Sequence, residues 1–581
     1  MHEFSIWAPK CKKVSVSVNG KAHRMQGPNE HGWWKAPVEE AGPGSDYAFL
    51  VDDDGTQYPD PRSPWQPDGV HAASRVYDHK AFSWTDRMWQ GPPLTGAVIY
   101  EVHVGTFTKE GTFDAAIAKL QYLFELGVTH VELMPVAEFP GKFGWGYDGV
   151  ELFAVRHEYG GPDAMKRFVD ACHANGLGVL VDVVYNHFGP VGAYANKFGP
   201  YLTNRHRTPW GDAVNFEDSG SEEVRRFFCD NALMWMRDYH VDGLRMDAVH
   251  EFVDRSAVHF MEQLAAEVDI LSATLGRRLL LVAESDLNDP RVVTPREAGG
   301  FGIDAQWSDD FHHALFTLLN LNESGGYYSD FGTFEDLGKS LTRAFVYDGK
   351  FSEYRNRRHG RAVEGLSAHH FMGFIQNHDQ VGNRAKGDRL EQVIGRDLSK
   401  VAAGLVLTAP FIPMLFMGEE YAASTPFQYF ADHEDPAMAK AVSEGRSREF
   451  AAFGWRPEEI PDPEKMETFE RSKLEWDEVQ QGEHGEMLDW YKRLIHLRRT
   501  SPSLNDGDFL HVSVHSNEEQ RWLTMDRGKI RVCLNLGSET REMENERGLS
   551  LVMGSRQDVR LEGGKVMLPS STLAILSEES A

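Results

Sequence analysis

Between Gly96 and Glu420 the chain repeats one pattern eight times: a short apolar run, then a helical or irregular stretch. The runs are GAVIYEVHVGTF, VTHVELMPV, LGVLVDVVYNH, VDGLRMDAV, RLLLVAES, FGIDAQWSDDF, HFMGFIQNHD and APFIPMLFMGEE. Short runs rich in Val, Leu and Ile read as buried strands, because a parallel sheet is covered on both faces. Alternating β and α units predict such a sheet, and eight of them in this length predict a closed (β/α)8 TIM barrel. Between the first two runs, Phe113, Ile117, Leu120 and Phe124 step by four, three and four. That spacing predicts one helix with all four residues on its core face, ended at Gly127.

The chain has 581 residues. A single core stops growing at roughly 250–300 residues, so the barrel should have companions. At the N-terminus Val14, Val16 and Val18 alternate with Ser15 and Ser17, and Asn19-Gly20 follows as a turn. DYAFLVDDDGTQY reads as a second hairpin turning at Asp54-Gly55, and the Pro-rich YPDPRSPWQPDG as a connector. After about residue 505 strand signals return. RWLTMDRGKIRVCLNLG reads as a hairpin turning near Arg527-Gly528, and STLAILS ends the pattern. The expected division is an N-terminal β domain over 1–90, a barrel over 91–500 and a C-terminal antiparallel β domain over 501–581. The insertion after the third barrel strand, about Phe188 to Phe216, is short.

A net charge of −28 repels nucleic acid and anionic membranes, so neither is an expected partner. No stretch approaches the roughly 20 apolar residues of a membrane helix. Cys11, Cys172, Cys229 and Cys533 form no CxxC and no Cys/His cluster. They read as buried thiols of a reducing compartment, and a cytoplasmic enzyme is expected.

Polar residues inside barrel strands carry the functional signal. The third run ends in Asp182, Asn186 and His187. The fourth carries Arg245 and Asp247, two apart and therefore on one face of a strand. The fifth ends in Glu284, and the seventh carries His378 and Asp379. All come late in their runs, the end at which barrel enzymes build their sites. An Arg beside Asp247 is expected to depress its pKa and keep it anionic, as a nucleophile requires. Glu284 follows five apolar or small residues, and burial should raise its pKa, as a proton donor requires. Glycoside hydrolysis needs such a pair of carboxyl groups flanking the bond. Neighbouring strands lie about 4.8 Å apart, which suits the ~5–5.5 Å of a retaining pair. Asp379 could then grip sugar hydroxyls.

DVVYNH, GLRMDAVH, VAES and QNHDQ, in this order, resemble the four motif regions of the α-amylase superfamily, glycoside hydrolase family thirteen. The resemblance implies Asp247 as nucleophile, Glu284 as general acid/base and Asp379 as transition-state stabiliser. It implies Arg245, His187 and His378 around the cleaved subsite, with Tyr147 and Asp148 of FGWGYDGV beside them. The WAPK opening and its strands resemble the early-set, immunoglobulin-like β-sandwich of branching and debranching enzymes. Longer stretches, among them DAVHEF with His250 and Glu251 and LFMGEEYAASTPFQYFADH with Glu420 and Tyr421, resemble the trehalose-releasing branch of the superfamily. That implies malto-oligosyltrehalose as substrate, cleaved at the α-1,4 bond next to its terminal trehalose. It also implies a malto-oligosyltrehalose synthase as the pathway partner that makes the trehalosyl end.

Two segments are candidates for the leaving-group side. One is the charged and aromatic stretch from Glu419 to His433, with Phe427, Tyr429, Phe430 and Asp432. The other is FVYDGKFSEYRNRRHG, residues 345–360. A branching transferase on the same fold, and a non-catalytic glucan-binding protein, are the competing readings. No cofactor is expected, and no metal, since the third insertion offers no dense set of oxygen ligands.

Overall fold

The structure, a computed structural model, describes residues 1–321, 325–451 and 455–578. Eight parallel strands close into a barrel: Ile99–Val102, His130–Leu133, Gly178–Val183, Gly243–Met246, Leu280–Ala283, Ala305–Trp307, Phe371–Gly373 and Ile412–Phe416. The eighth pairs with the first, Met414 opposite Ile99, and this closes the ring. Each strand lies in one of the eight apolar runs.

The period of two sorts every strand into an inner and an outer row. Ile99, Leu180, Leu280, Val282, Ala305, Met372, Ile412 and Met414 fill the lower barrel as one buried cluster. Their outward neighbours, such as Tyr100, Val131, Val181, Leu244 and Leu281, pack into the larger core shared with the surrounding helices. Above the apolar plug the inner row turns polar. Glu101 stands opposite Glu132, and Asp182 opposite Arg245. This polar layer is the floor of the site.

The helix expected over 113–126 is broken. Phe113–Ile117 and Leu120–Leu126 are separate helices, joined through Ala118 and Lys119. The joint rotates the second piece. Leu120, Leu123 and Leu126 are buried, and Phe124 is half exposed. Gly127 ends it in the left-handed region, as expected.

In the N-terminal region a two-stranded sheet, His2–Trp7 with Trp33–Val38, faces a four-stranded sheet. Phe4, Ile6, Val16, Trp34 and Phe49 join between them, giving a β-sandwich. Asn19 and Gly20 both have positive φ, the backbone of a tight hairpin turn. The second expected hairpin shrinks to a single bridge, Phe49 with Tyr58. Its strand stops at Val51, because Asp52 turns back to accept hydrogen bonds from the amides of Lys12 and Lys13 at 2.7 and 2.9 Å.

Phe198, from the loop after the third barrel strand, also belongs to the sandwich core, 6.0 Å from Phe49 ring to ring. Trp7 packs edge-on against Tyr201 of that loop. The loop continues as a hairpin, Leu202–Thr208 with Gly211–Val214, with Trp210 at its tip.

The C-terminal region holds a five-stranded and a three-stranded antiparallel sheet. The hairpin Trp522–Arg527 with Ile530–Asn535 turns at Gly528 as predicted. No helix among the described residues is long and apolar enough to cross a membrane. All four cysteines are free and buried.

Candidate active site

Arg245 is the hub of the site. It is fully buried, and its guanidinium lies 4.1 Å over the Trp307 ring of the sixth strand. Nη1 donates to Asp182 Oδ2 at 2.5 Å and to Asp247 Oδ1 at 3.0 Å. Nη2 lies 2.8 Å from Glu284 Oε2. One guanidinium thus holds the carboxyl groups that end strands four and five, one on each terminal nitrogen.

Backbone fixes the same pair. Ala248 sits in the left-handed region at φ 40°, which costs a non-glycine residue about 1 kcal/mol or more. That bend turns its N–H onto Glu284 Oε2 at 2.9 Å. Asn186 Nδ2 donates to Asp247 Oδ2 at 2.7 Å. Asp379 is the most open of the three, its side chain 40% exposed, against 11% for Asp247 and 20% for Glu284.

Burial drives the electrostatics. It pushes the Glu284 pKa above the usual carboxylate range, and Arg245 pulls it back only in part. This matches the expectation for a proton donor. The expectation for Asp247 is overturned: its pKa is raised, not depressed. Arg245 does lower it, but burial is the larger effect and nearby Asp182 and Asp379 add to the rise. His187 is shifted down by burial; its Nε2 lies 3.0 Å from the Tyr147 carbonyl oxygen.

A cavity of about 750 Å³ opens above this floor. Asp247, Glu284, Asp379, His187, His378, Tyr147, Asp148 and His250 all line it, so eight of the expected residues meet in one cleft. Arg245 supports it from below. Glu251 does not line it, although its carboxylate lies 4.0 Å from His250 Nε2. Trp145, Trp210, Tyr429, Phe430, His433 and Met438 complete the walls. Trp210 stacks on His187 with centroids 4.6 Å apart and planes 7° off parallel, and is half exposed. Nothing in its local sequence marks it; its value comes from the hairpin that carries it to the rim.

Glu420 and Tyr421, expected to bind substrate, lie outside the site. Both are fully buried outside the barrel wall and do not line the cleft. Tyr122 and Tyr100 donate to Glu420 Oε1 at 2.7 and 3.1 Å, and the Tyr421 ring packs near Trp476. They follow the eighth strand in a short 3-10 turn that points them back into the helical shell. The stretch from 419 to 433 is therefore split: Tyr429, Phe430 and His433 reach the cleft, while Glu419, Glu420 and Tyr421 brace it from behind. The 345–360 segment forms a hairpin, Asp348–Ser352 with Arg357–Gly360. Arg355 fastens it to Asp286, just past Glu284, at 2.5 and 2.9 Å.

A larger groove of about 1080 Å³ runs between the helix Gly482–Thr500 and the C-terminal sheets, but contains none of these residues. Among the described residues no group of three or more His, Cys, Asp or Glu is placed to hold a metal ion.

A closed (β/α)8 barrel with paired carboxyl groups at the C-terminal ends of its fourth and fifth strands is that of an α-amylase-type glycoside hydrolase. The family model for the α-amylase catalytic domain matches residues 19–208. A malto-oligosyltrehalose trehalohydrolase from Rhizobium sp. (strain M-11) is 48% identical over 99% of this chain and 97% of its own. The chain belongs to the malto-oligosyltrehalose trehalohydrolase family. A crystal structure described as a putative alpha amylase from Salmonella typhimurium superposes with a TM-score of 0.91 at 37% identity, covering 99% of this chain and 97% of that one. A 1,4-alpha-glucan branching enzyme from Bacillus caldolyticus is 34% identical, over only 52% of this chain and 50% of its own.

Proposed function

We propose that this enzyme hydrolyses, with retention, the α-1,4 bond next to the terminal trehalose of malto-oligosyltrehalose, releasing trehalose and a shorter maltooligosaccharide. Asp247 attacks the anomeric carbon and forms a glycosyl-enzyme ester. Glu284 gives its proton to the departing oxygen, then takes one from the incoming water. Asp379, open to the cleft, accepts hydrogen bonds from the sugar hydroxyls as the ring flattens. Tyr147, Asp148, His187 and His378 hold the ring being cleaved, and His250 faces the leaving group, with the Glu251 carboxylate 4.0 Å from its Nε2. The observation that carries this reading is Arg245, which binds the attacking and the proton-donating carboxyl groups with one guanidinium. Such a clamp sets a short separation, the geometry of retention rather than inversion.

The trehalosyl end must be made by a preceding enzyme, a malto-oligosyltrehalose synthase. Four free thiols fit work in the reducing cytoplasm.

The test is to incubate the protein with malto-oligosyltrehalose, with a maltooligosaccharide of equal length, and with amylose, and to separate the products by chromatography. Trehalose from the first, with little action on the others, is expected. Asp247→Asn and Glu284→Gln should each cut its release by about 10²–10⁴-fold, the usual scale for such groups. New α-1,6 branches in the amylose, or undiminished turnover by Asp247→Asn, would sink the proposal.

A further inference from the structure

The site stands on a chain of hydrogen bonds that begins in the first barrel strand. Glu101 is 1% exposed. Its Oε2 accepts from the His378 amide at 3.0 Å, and its Oε1 lies 2.6 Å from His378 Nδ1. The other ring nitrogen, Nε2, lies 2.8 Å from the Tyr147 hydroxyl. That hydroxyl is 2.7 Å from Asp182 Oδ2, the oxygen that also accepts from Arg245 Nη1.

The proton directions follow by elimination. Asp182 Oδ2 already accepts from a guanidinium, so the Tyr147 hydroxyl spends its single hydrogen on it. The Tyr147 oxygen must then accept from His378 Nε2. As a carboxylate, Glu101 Oε1 can only accept, so Nδ1 donates to it. Both ring nitrogens therefore carry hydrogen, and the ring is a cation.

We propose that Glu101 is a positioning residue for the reaction: its carboxylate keeps His378 doubly protonated, and so fixes the Tyr147 hydroxyl, Asp182 and Arg245 in one orientation beneath the cleaved sugar.

The groups facing the ring are Glu101 on strand one, His103 just beyond it, Glu132 on strand two, Tyr147 from the loop after it, Asp182 on strand three and Arg245 on strand four. Asp379 on its own segment lies 3.5 Å from Nε2. Burial and Arg245 oppose a charge on the ring, while Asp379 and Glu101 favour it, and the balance raises the His378 pKa to about 9. Glu132 is buried and its own pKa is pushed well up, so it leaves the counter-charge on this side to Glu101. With the Glu101 charge removed, the ring gives up its second proton at a lower pH. The Tyr147 hydrogen is then free to turn to Nε2, and Asp182 loses a donor.

This rests on the retaining-hydrolase reading above, and the test separates the two. Glu101→Gln removes the charge but keeps an oxygen that can accept from Nδ1. Ring nitrogens of the full-length protein, labelled with nitrogen-15 histidine and assigned with His378→Gln, are followed by NMR from about pH 5 to about pH 9 without substrate. The parent ring should stay doubly protonated through about pH 8, and the Glu101→Gln ring should lose a proton at least one pH unit lower. Trehalose release by Glu101→Gln should fall about tenfold or more between about pH 6 and about pH 8, where the parent falls little. Glu101→Asp should restore most of it. A Glu101→Gln ring that titrates as the parent does, or turnover lowered by the same factor at every pH, overturns the proposal. A parent enzyme that releases no trehalose overturns the functional reading instead, and leaves the ring titration to be judged by itself.

Discussion

Replacing Glu420 with Gln separates two roles for a carboxylate that sequence places at the active end of the barrel and structure places behind its wall. Burial raises the Glu420 pKa to about 7, from an ordinary value of 4.5, while the hydroxyls of Tyr122 and Tyr100 lower it only in part. The folded protein therefore holds this proton at pH values where the unfolded chain has lost it. Below about pH 4.5 both states are protonated and the group is neutral to stability. As pH rises to about 7 the folded state is progressively penalised. At about 1.4 kcal/mol per pH unit, the full penalty is about 3 kcal/mol. Glutamine keeps an acceptor for both tyrosines and carries no charge. Glu420→Gln should match the parent in denaturant unfolding near pH 4 and exceed it by up to about 3 kcal/mol near pH 8. Its kcat/KM should stay within about twofold of the parent, since Glu420 touches neither the cleft nor Arg245. Equal stability differences at both pH values would refute the electrostatic argument. A tenfold loss of kcat/KM would refute the placement.

Three further outcomes are expected. Because burial raises Asp247 as well as Glu284, the acid limb of kcat/KM against pH should lie above the ~4 of an ordinary aspartate, and Arg245→Lys, which loses the two-nitrogen clamp, should shift both limbs. Trp210→Ala removes the exposed indole stacked on His187 and should raise KM about tenfold with a smaller change in kcat, as steady-state kinetics would show. Leu123→Ala should cost about 2–5 kcal/mol in unfolding experiments, and Phe124→Lys less than about 1, the reverse of what an unbroken helix would give.

The barrel was legible because its strands are apolar and any late charge in them stands out. Asp182, Arg245, Asp247, Glu284 and Asp379 announced themselves that way. Glu101 and Glu132 did not, although they belong to the same polar layer. Each sits in mid-run between apolar neighbours that face outward, and the partner that explains Glu101 is 277 positions away. Strict alternation from Ile99 places Glu101 inward and could have flagged it. The helix break at Lys119 has no Gly or Pro to mark it, so the spacing ran straight through to Phe124. Glu420 was misplaced because the end of a strand tells which rim a residue belongs to. It does not tell whether the following turn sends the side chain over the cleft or behind the wall.

Phe198 has a consequence for how this molecule can be taken apart. It is rooted in the loop that brings His187 and Trp210 to the rim, yet its ring completes the core of the N-terminal sandwich. The sandwich is thus less a passenger than a keystone. Cutting it away would leave an aromatic anchor hanging in water and let one bank of the cleft drift, so a barrel expressed alone would be a different enzyme from the barrel in place.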